Sequence, residues 1–442
     1  MAVAQSASES ASVANRWWRL TAGVVAMMAI ANLQYAWTLF TVPLTQELGV
    51  KLSAVQLTFT LFILTETWLV PFEGYLVDRI GARIIVSLGG ILVGFGWIAS
   101  GMVHSLTNLY IVYCIGGLGA GAVYGACVGT ALKWFPDHRG LAAGATAGAY
   151  GFGTALTVLP IQYMINTSGY RSAFIVWGIV QGIVVIVAAQ FLVAPPSGWK
   201  PKGWEQLQSR IQDIVHQSSV SFRPSQMIRR GTFWLMYFIM TLVAFGGLMV
   251  TAQLKPIATA YGLDKSIVLL GITALGLALM LDRILNGLTR PFWGWISDHI
   301  GRYNTTAMAF GAEAVAIVAL LHLVDRPIWF VILTGLTFFA WGEIFSLFPA
   351  AIGDVFGPDY ATTNYGIQYT AKGLASIFAG WGAAMIMEAA GSWIPVFWVA
   401  VGCDVLAAVL ALFALKPLVA KITHEREAGV VTPGGIGPAR AS

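Results

Sequence analysis

The sequence reads Gly74-Tyr-Leu-Val-Asp78-Arg79-Ile-Gly81-Ala-Arg83 at one point and Gly294-Trp-Ile-Ser-Asp298-His-Ile-Gly301-Arg302 further on. Both stretches have the pattern G-x-x-x-D-x-x-G, and the second begins 220 residues after the first, half the length of the 442-residue chain. Each follows a long apolar segment. A repeat of this kind predicts two halves of the same topology, each built from several membrane helices.

The composition supports a membrane protein. Hydrophobic residues make up 57% of the chain and charged residues only 10%, with a mean hydropathy of +0.74. A soluble domain carries roughly 25% charged residues, so this chain has too few to cover a globule in water. Disordered chains are rich in charge, and outer-membrane barrels show short alternating strands. The composition therefore predicts an all-α membrane protein.

Twelve apolar stretches approach or exceed the length of about 20 residues that a spanning helix needs. We number them spans 1 to 12; they lie at 18–43, 53–77, 84–103, 107–132, 140–165, 171–194, 231–257, 266–296, 305–324, 328–352, 362–388 and 392–415. The predicted organisation is a disordered tail at 1–15, a six-helix half at 16–194, a cytoplasmic linker with a short amphipathic helix at 195–230, a second six-helix half at 231–418 and a cytoplasmic tail at 419–442.

The distribution of basic residues predicts the orientation. Most of the 25 Lys and Arg residues fall in the tails and in the loops of one side, and that side is cytoplasmic by the positive-inside rule. Both termini are therefore expected in the cytoplasm, in a bacterial inner membrane. This scattered charge favours contact with the lipid bilayer and argues against a nucleic-acid partner. We expect a monomer.

With the repeat and the span count in place, the chain resembles the major facilitator superfamily, whose members carry this loop after the second and eighth helices. The resemblance covers all but the tails. It implies that the loop residues form a conformational latch of the outward-facing state and do not bind substrate. The implied latch residues are Gly74, Asp78, Arg79, Gly81, Asp298, Gly301 and Arg302.

Two cations fall near the middle of the second half. Arg290 lies eight residues before Asp298, about 12 Å from the end of span 8, and Lys372 lies about 15 Å inside span 11 at a rise of about 1.5 Å per residue. Neither has an acid four residues away on its own helix. Charges at this depth are costly and usually functional. They predict a site for a small dianion; the alternative is structural pairing with a fixed acid such as Glu66 or Glu343.

Aromatic and amide side chains fall at the same depth. They are expected to exclude water around a planar anion while hydroxyl groups donate hydrogen bonds. Helix packing remains the expectation for most other rings. The candidates are Gln34, Tyr35, Tyr124, Tyr150, Trp341, Phe345 and Tyr369.

Four stretches are similar to the oxalate/formate antiporter family: those around Gln34-Tyr35, Tyr124, Arg290 and Lys372. The resemblance implies that Arg290 and Lys372 bind the dicarboxylate and that Tyr35, Tyr124, Tyr150 and Trp341 line the cavity. The family exchanges external oxalate for internal formate.

This sequence departs from the family pattern at several positions. Phe345 stands in place of Tyr and Tyr369 in place of Trp, while Glu343 replaces a small residue, Glu66 an amide, and Asp282-Arg283 an uncharged pair. We expect Glu343 or Glu66 to neutralise Arg283 as a gate or buried ion pair. The rival hypothesis makes one of these acids a proton carrier. Glu313 and Asp404 also fall inside spans 9 and 12, and the sequence suggests no role for them.

The predicted function is secondary transport of small carboxylates by alternating access, with oxalate taken up and formate released. A proton-coupled monocarboxylate symporter on the same fold is the first alternative, and a membrane sensor that binds a carboxylate without moving it is the second. An enzyme is not expected, because the sequence has no His-x-x-x-His pair and no phosphate-binding Walker loop. No cofactor or metal is expected.

Overall fold

The computed structural model describes a chain whose contacts separate into two units, Met1–Ile214 and Val215–Ser442. Nearly all of the described residues in both units are helical, which confirms the all-α class. The described residues are 16–135, 139–196, 201, 221–357, 360–427, 431–432 and 435–436. The predicted N-terminal tail and the predicted amphipathic helix of the linker lie outside them.

The first unit contains spans 1 to 6, and three of these consist of more than one helical segment. In order, the segments are Arg16–Tyr35 and Trp37–Leu48 (span 1), Leu52–Trp68 and Val70–Ile80 (span 2), Ala82–Ser100 (span 3), Leu106–Trp134 (span 4), Arg139–Phe152 with the 3₁₀ turn Gly153–Leu156 and the first part of Val158–Ala189 (span 5), and the remainder of Val158–Ala189 (span 6). Spans 5 and 6 separate at Gly169, where φ is 82°.

The second unit begins with a one-turn helix, Pro224–Met227, and then contains spans 7 to 12. They are Gly231–Ala260 (span 7), Ala274–Ile300 (span 8), Arg302–Leu323 (span 9), Pro327–Trp341 and Ile344–Phe356 (span 10), Ala361–Ser376 with the π-helical turn Ile377–Gly382 and Ala383–Ala390 (span 11), and Ile394–Leu410 with the π-helical turn Ala411–Leu415 and Lys416–Glu427 (span 12). Two short antiparallel hairpins pair Ile267–Leu269 with Ile272–Thr273, and Val431–Thr432 with Gly435–Ile436.

The number of spans agrees with the prediction. Ten helical stretches are long and apolar enough to cross a membrane, and one of them, Leu141–Ala189, contains both span 5 and span 6. Span 8 is not among the ten because it carries Asp282, Arg283 and Arg290 within a few turns. With span 8 added, the described part of the chain contains the twelve predicted spans.

Most span boundaries lie within about five residues of the predicted ones, and two differ by more. Span 8 begins at Ala274 instead of 266, because the apolar residues before it form a hairpin that turns at Leu270 (φ 48°) and Gly271 (φ 79°). Span 12 continues as Lys416–Glu427, past the predicted end of the second half at 418. Hydropathy alone misplaced both boundaries. At span 8, apolar residues lie in a turn and not in the helix. At span 12, the helix continues through polar residues.

The two copies of the repeated motif end their helices in the same way. Gly81 ends the second helix of span 2 with φ 92° and ψ 148°, and Gly301 ends span 8 with φ 88° and ψ 150°. Residues with a side chain rarely adopt a φ in this region. The matching conformations are therefore the structural reason for a glycine at the end of each motif.

Glycines also bring spans 3 and 4 into close contact. A Cβ added to Gly96 would lie 2.7 Å from the Cα of Gly116, and one added to Gly119 would lie 2.6 Å from the carbonyl oxygen of Gly89. Side chains at these positions would force the helices apart. The glycine-rich run that begins at Gly116 is therefore a helix-packing surface, as expected for small residues in membrane helices.

Candidate functional site

The two predicted cations of the second unit meet at one aromatic ring. The Cζ atom of Arg290 lies 4.6 Å from the centre of the Phe345 ring, and the Nζ atom of Lys372 lies 5.9 Å from the same centre. Arg290 is 2% exposed and Lys372 is fully buried. Three different spans therefore bring two positive side chains and one ring together, and we call these three residues the cation site.

Lys372 is held by a neighbour on its own helix. Its ammonium group donates a 3.1 Å hydrogen bond to the hydroxyl oxygen of Tyr369 and lies 5.2 Å from the centre of that ring. The residues are three positions apart, the spacing at which side chains share a helix face. The π-helical turn Ile377–Gly382 follows less than two turns later, and such turns occur frequently at functional sites.

Trp341 completes the aromatic side of the cation site. Its ring centre lies 5.3 Å from that of Phe345, almost perpendicular, although span 10 breaks at Gly342 between them. A Cβ added to Gly247 of span 7 would overlap the Trp341 indole. A glycine at this position is what lets the fully buried indole pack against span 7.

Two arginines of span 8 each contact an aromatic ring of span 10. Arg283 lies 4.1 Å from the centre of the Phe338 ring, just as Arg290 lies 4.6 Å from the centre of the Phe345 ring. Each pair of residues is seven positions apart, about two helical turns, so each arginine covers one ring. Cation–π contacts of this kind are worth about 0.5–2 kcal/mol. Both arginines therefore lie on the face of span 8 that meets span 10, and the sequence analysis missed Phe338.

Four acids inside the spans of the second unit, Asp282, Glu313, Glu343 and Asp404, are fully buried. Asp282 is adjacent to Arg283 and interacts with it electrostatically. Glu343 stands at the break in span 10, and neither of its carboxyl oxygens has a hydrogen-bond partner among the described residues. Glu313 and Asp404 are likewise buried, with no hydrogen bond to their carboxyl oxygens in the described part of the chain.

The first unit gathers its predicted residues around one tyrosine. The Tyr150 hydroxyl lies 2.9 Å from Glu66 Oε1 and 3.0 Å from Gln34 Oε1, so it donates its hydrogen to one of these acceptors at a time. The rings of Tyr35 and Tyr124 lie 5.4 Å and 5.5 Å from the Tyr150 ring. Spans 1, 2, 4 and 5 thus build one polar and aromatic group, which we call the tyrosine cluster.

One buried acid of the first unit was missed by sequence inspection. Glu73 is 7% exposed, and a Cβ added to Gly121 would lie 2.9 Å from its Oε2 atom. Glu73 follows Glu66 by seven residues, the same spacing as the two arginines of span 8. That spacing was the available signal, although the helix break at Leu69 lies between the two acids.

The latch residues are described in part. Arg302 donates a 3.3 Å hydrogen bond from Nε to Asp354 Oδ2 and a second hydrogen bond to the hydroxyl of Ser297. Arg79 lies on the exposed surface of the second helix of span 2. The side chains of Asp78 and Asp298 and the surroundings of Gly74 lie outside the description, so the latch remains a prediction.

Metal binding finds no support among the described residues, which contain no group of three or more His, Cys, Asp and Glu side chains able to hold a metal ion. The chemistry of the described site is that of cations, aromatic rings and hydroxyl groups. Such groups bind and orient an anion, and they do not by themselves suggest bond-breaking chemistry.

Comparisons with known proteins agree with this architecture. The sequence profile of the Major Facilitator Superfamily matches residues 22–380, and a second match covers 272–436. The chain belongs to the major facilitator superfamily. It is therefore a multi-pass membrane protein and a secondary transporter, not an enzyme.

Individual relatives refine the family. The chain is 36% identical over 414 residues to the oxalate:formate antiporter of Oxalobacter formigenes, an alignment that covers 93% of this chain and 94% of that protein. This match confirms the resemblance to the oxalate/formate antiporter family. A shorter match, 30% identical over 109 residues, joins 24% of this chain to 21% of monocarboxylate transporter 14 of Mus musculus.

A solved structure supports the fold alone. The proton:xylose symporter XylE, bound to 6-bromo-6-deoxy-D-glucose, superposes with a TM-score of 0.68 at 15% sequence identity, over 91% of this chain and 96% of that one. At this identity the similarity carries no information about the substrate.

Proposed function

We propose that this transporter exchanges small carboxylate anions by alternating access, taking up oxalate and releasing formate across a bacterial inner membrane, with both termini in the cytoplasm. The observation that carries the proposal is the cation site, in which Arg290 and Lys372 approach the Phe345 ring from two different spans. A doubly charged anion with two carboxylate groups offers one group to each cation.

The two cations suit different tasks. The planar guanidinium of Arg290 can donate two parallel N–H···O bonds to one carboxylate, whereas the Lys372 ammonium acts as a compact point charge. Hydrogen bonds to charged groups contribute about 1.5–3 kcal/mol each. Oxalate engages both cations and formate engages one, so the site should bind the dianion more tightly and release the monoanion more easily.

The family match supports the same substrate class. The protein from Oxalobacter formigenes is named as an oxalate:formate antiporter, and the alignment extends over nearly all of both chains. Phe345 and Tyr369 depart from that family's pattern, so the affinity for each anion is expected to differ between the two proteins.

Counterflow in proteoliposomes tests the proposal. Purified protein is reconstituted with unlabelled oxalate inside, and the uptake of labelled oxalate is followed in competition with oxalate, formate, malonate, lactate and pyruvate. Internal oxalate or formate should stimulate uptake. A protein that binds these anions without counterflow would be a sensor, and stronger competition by lactate and pyruvate than by oxalate would refute the assignment.

A lysine variant with a matched control locates the site. Lys372→Gln should weaken oxalate competition by about tenfold or more and formate competition less, because the lost charge serves the second carboxylate. Lys416→Gln makes the same change at an exposed lysine that bonds to Asn304, and it should leave both values unchanged. If Lys372→Gln bound oxalate with unaltered affinity, the proposal that Lys372 binds the substrate would be wrong.

Proton-coupled monocarboxylate symport is the second candidate. Two observations favour it: the local match to monocarboxylate transporter 14, and the full burial of Glu343, which lies two residues before Phe345 in span 10. Uptake into vesicles without internal anion, accompanied by alkalinisation of the external medium, would establish symport and exclude pure exchange.

A further inference from the structure

Two acids of the second unit, neither of them needed for anion binding, lie against the same glycine. A Cβ added to Gly246 of span 7 would lie 2.7 Å from Glu313 Oε1 and 3.6 Å from Asp404 Oδ1. Both oxygens are therefore close to one point, where spans 7, 9 and 12 meet. The missing side chain of Gly246 leaves the space that these carboxyl groups occupy.

Burial makes this pair unusual. Glu313 and Asp404 are fully buried, and none of their four carboxyl oxygens has a hydrogen-bond partner in the described part of the chain. A buried carboxylate without a partner is so costly that the group takes up a proton instead, and two adjacent carboxylates rarely stay charged together. An intramembrane acid of this kind is a functional candidate by default.

A third carboxyl group acts on the pair from span 10. Glu343 is fully buried, its two oxygens also have no hydrogen-bond partner among the described residues, and it interacts electrostatically with Glu313. Glu343 stands between Trp341 and Phe345, at the break in the helix. It therefore connects the region of the acid pair with the region of the cation site inside one unit.

The charged and titratable groups around the pair are few. Glu313 interacts electrostatically with Asp404 on span 12 and with Glu343 on span 10, and Cys403 on span 12 interacts with Asp404. The described residues contain no salt bridge to Glu313 or Asp404 and no metal-binding group. A proton therefore suits the pair better than a metal ion, because two carboxyl groups can share it in an O–H···O⁻ bond.

We propose that Glu313 and Asp404 bind one proton between them and that Glu343 links this proton site to the cation site. A proton passes from a hydronium ion to a carboxylate oxygen of the pair: one O–H bond of hydronium breaks, leaving water, and one O–H bond forms on the carboxyl group. The proton site itself is independent of which anion is carried, whereas the link to the cation site rests on the proposed function.

Infrared difference spectroscopy of the full chain in lipid nanodiscs tests the proton site without substrate. The wild-type protein should show a protonated-carboxyl band that shifts in deuterated water. The Glu313→Gln/Asp404→Asn double variant should lose the part of that band that the pair contributes, leaving the part from other buried acids such as Glu343, while Asp325→Asn, at an exposed acid, should keep the whole band. Absence of the band from wild type, or a band of unchanged intensity and position in the double variant, would overturn the proposal.

A glycine variant tests the same proton site if the double variant does not fold. Gly246→Ala places a methyl group against Glu313 and should shift the same band without removing a carboxyl group. Gly402→Ala is the matched control, since nothing lies within 4 Å of a Cβ added there. An unshifted band in Gly246→Ala would place the bound proton elsewhere.

Oxalate is the probe for the link. Its addition should shift the carboxyl band of wild type, and Glu343→Gln should abolish this shift while keeping the band itself. A shift that survives in Glu343→Gln would overturn the link and leave the proton site standing. Failure of oxalate counterflow, with the substrate-free band behaving as expected, would refute the proposed function and not the proton site.

Discussion

The two units treat their buried polar groups differently. In the first, Tyr150 bonds to Glu66 or Gln34, and the Trp37 indole donates a 3.0 Å hydrogen bond to Gln56 Oε1. In the second, the carboxyl oxygens of Glu343, Glu313 and Asp404 have no hydrogen-bond partner among the described residues. A satisfied polar network stabilises one arrangement, whereas unsatisfied charge-bearing groups are available to a ligand. The contrast is one of degree, because Glu73 Oε2 and the Gln181 side chain of the first unit also have no hydrogen-bond partner among the described residues. It leads us to predict a mainly scaffolding role for the first unit and ion binding for the second.

The largest expected effect comes from the cation site. Arg290→Lys keeps the charge but removes the two parallel donors, so oxalate exchange should fall by about 10- to 100-fold. Arg326→Lys, at an exposed arginine, is the matched control and should exchange normally. Initial rates of counterflow provide the measurement, and a normal rate in Arg290→Lys would break the contrast between the units.

The next effect tests the packing of Trp341, whose ring lies beside Phe345 of the cation site. Gly247→Ala should push the Trp341 indole away from span 7, with a loss of about 1–3 kcal/mol of stability, as for other overpacked interiors, and weaker oxalate competition. Gly129→Ala is the control in the first unit, because nothing lies within 4 Å of a Cβ added there. Thermal unfolding in detergent and oxalate competition are measured together. Equal behaviour of the two variants would argue against a fixed Trp341.

A smaller effect is expected from the tyrosine cluster. Tyr150→Phe removes the donor to Glu66 and Gln34 and should lower stability by about 1–2 kcal/mol, because it leaves buried acceptors without that bond. Tyr163→Phe, at a tyrosine that is 71% exposed, should unfold like wild type. If the first unit is a scaffold, oxalate affinity changes less in Tyr150→Phe than in Arg290→Lys, and the reverse order would contradict the assignment.

The smallest effect concerns an ion pair at the end of span 7. Lys255 Nζ lies 3.0 Å from Asp264 Oδ2. Partial burial raises the pKa of Asp264, but the hydrogen bond and charge of Lys255 outweigh burial, and the pKa lies below its ordinary value. The pair therefore adds stability above the unfolded-state pKa of about 3.9, and this contribution is lost as the pH falls through the lower folded-state pKa.

Melting curves across pH measure that contribution. Asp264→Asn should cost about 1 kcal/mol near neutral pH, the upper end of the range for exposed ion pairs, because both side chains are mostly covered. Its difference from wild type should shrink as the pH falls below about 4. A difference that grows toward low pH would have the wrong sign for this ion pair.

Much of the site was predictable because membrane helices are regular. Helix rise places Arg290 and Lys372 at similar depths. The contacts Tyr369–Lys372 and Trp341–Phe345 join residues three and four positions apart, the spacings at which side chains of one helix meet. Glu73 and Phe338 were missed, because each matters through a contact with another helix. Helical periodicity predicts which side chains share one face of a helix. It does not predict which other helix packs against that face.

By itself, the sequence determined the membrane class, the number of spans and the repeat. Charged side chains and backbone groups without hydrogen bonds are costly in lipid, and this cost applies to each segment of the chain separately. The spans can therefore be recognised one at a time from the sequence. Only the tertiary structure decided that Arg290 and Lys372 meet at Phe345, that Tyr150 serves Glu66 and Gln34, and that Glu313 and Asp404 share one space beside Gly246. These contacts join residues from different spans. They depend on how helices pack, which the local apolar pattern does not record.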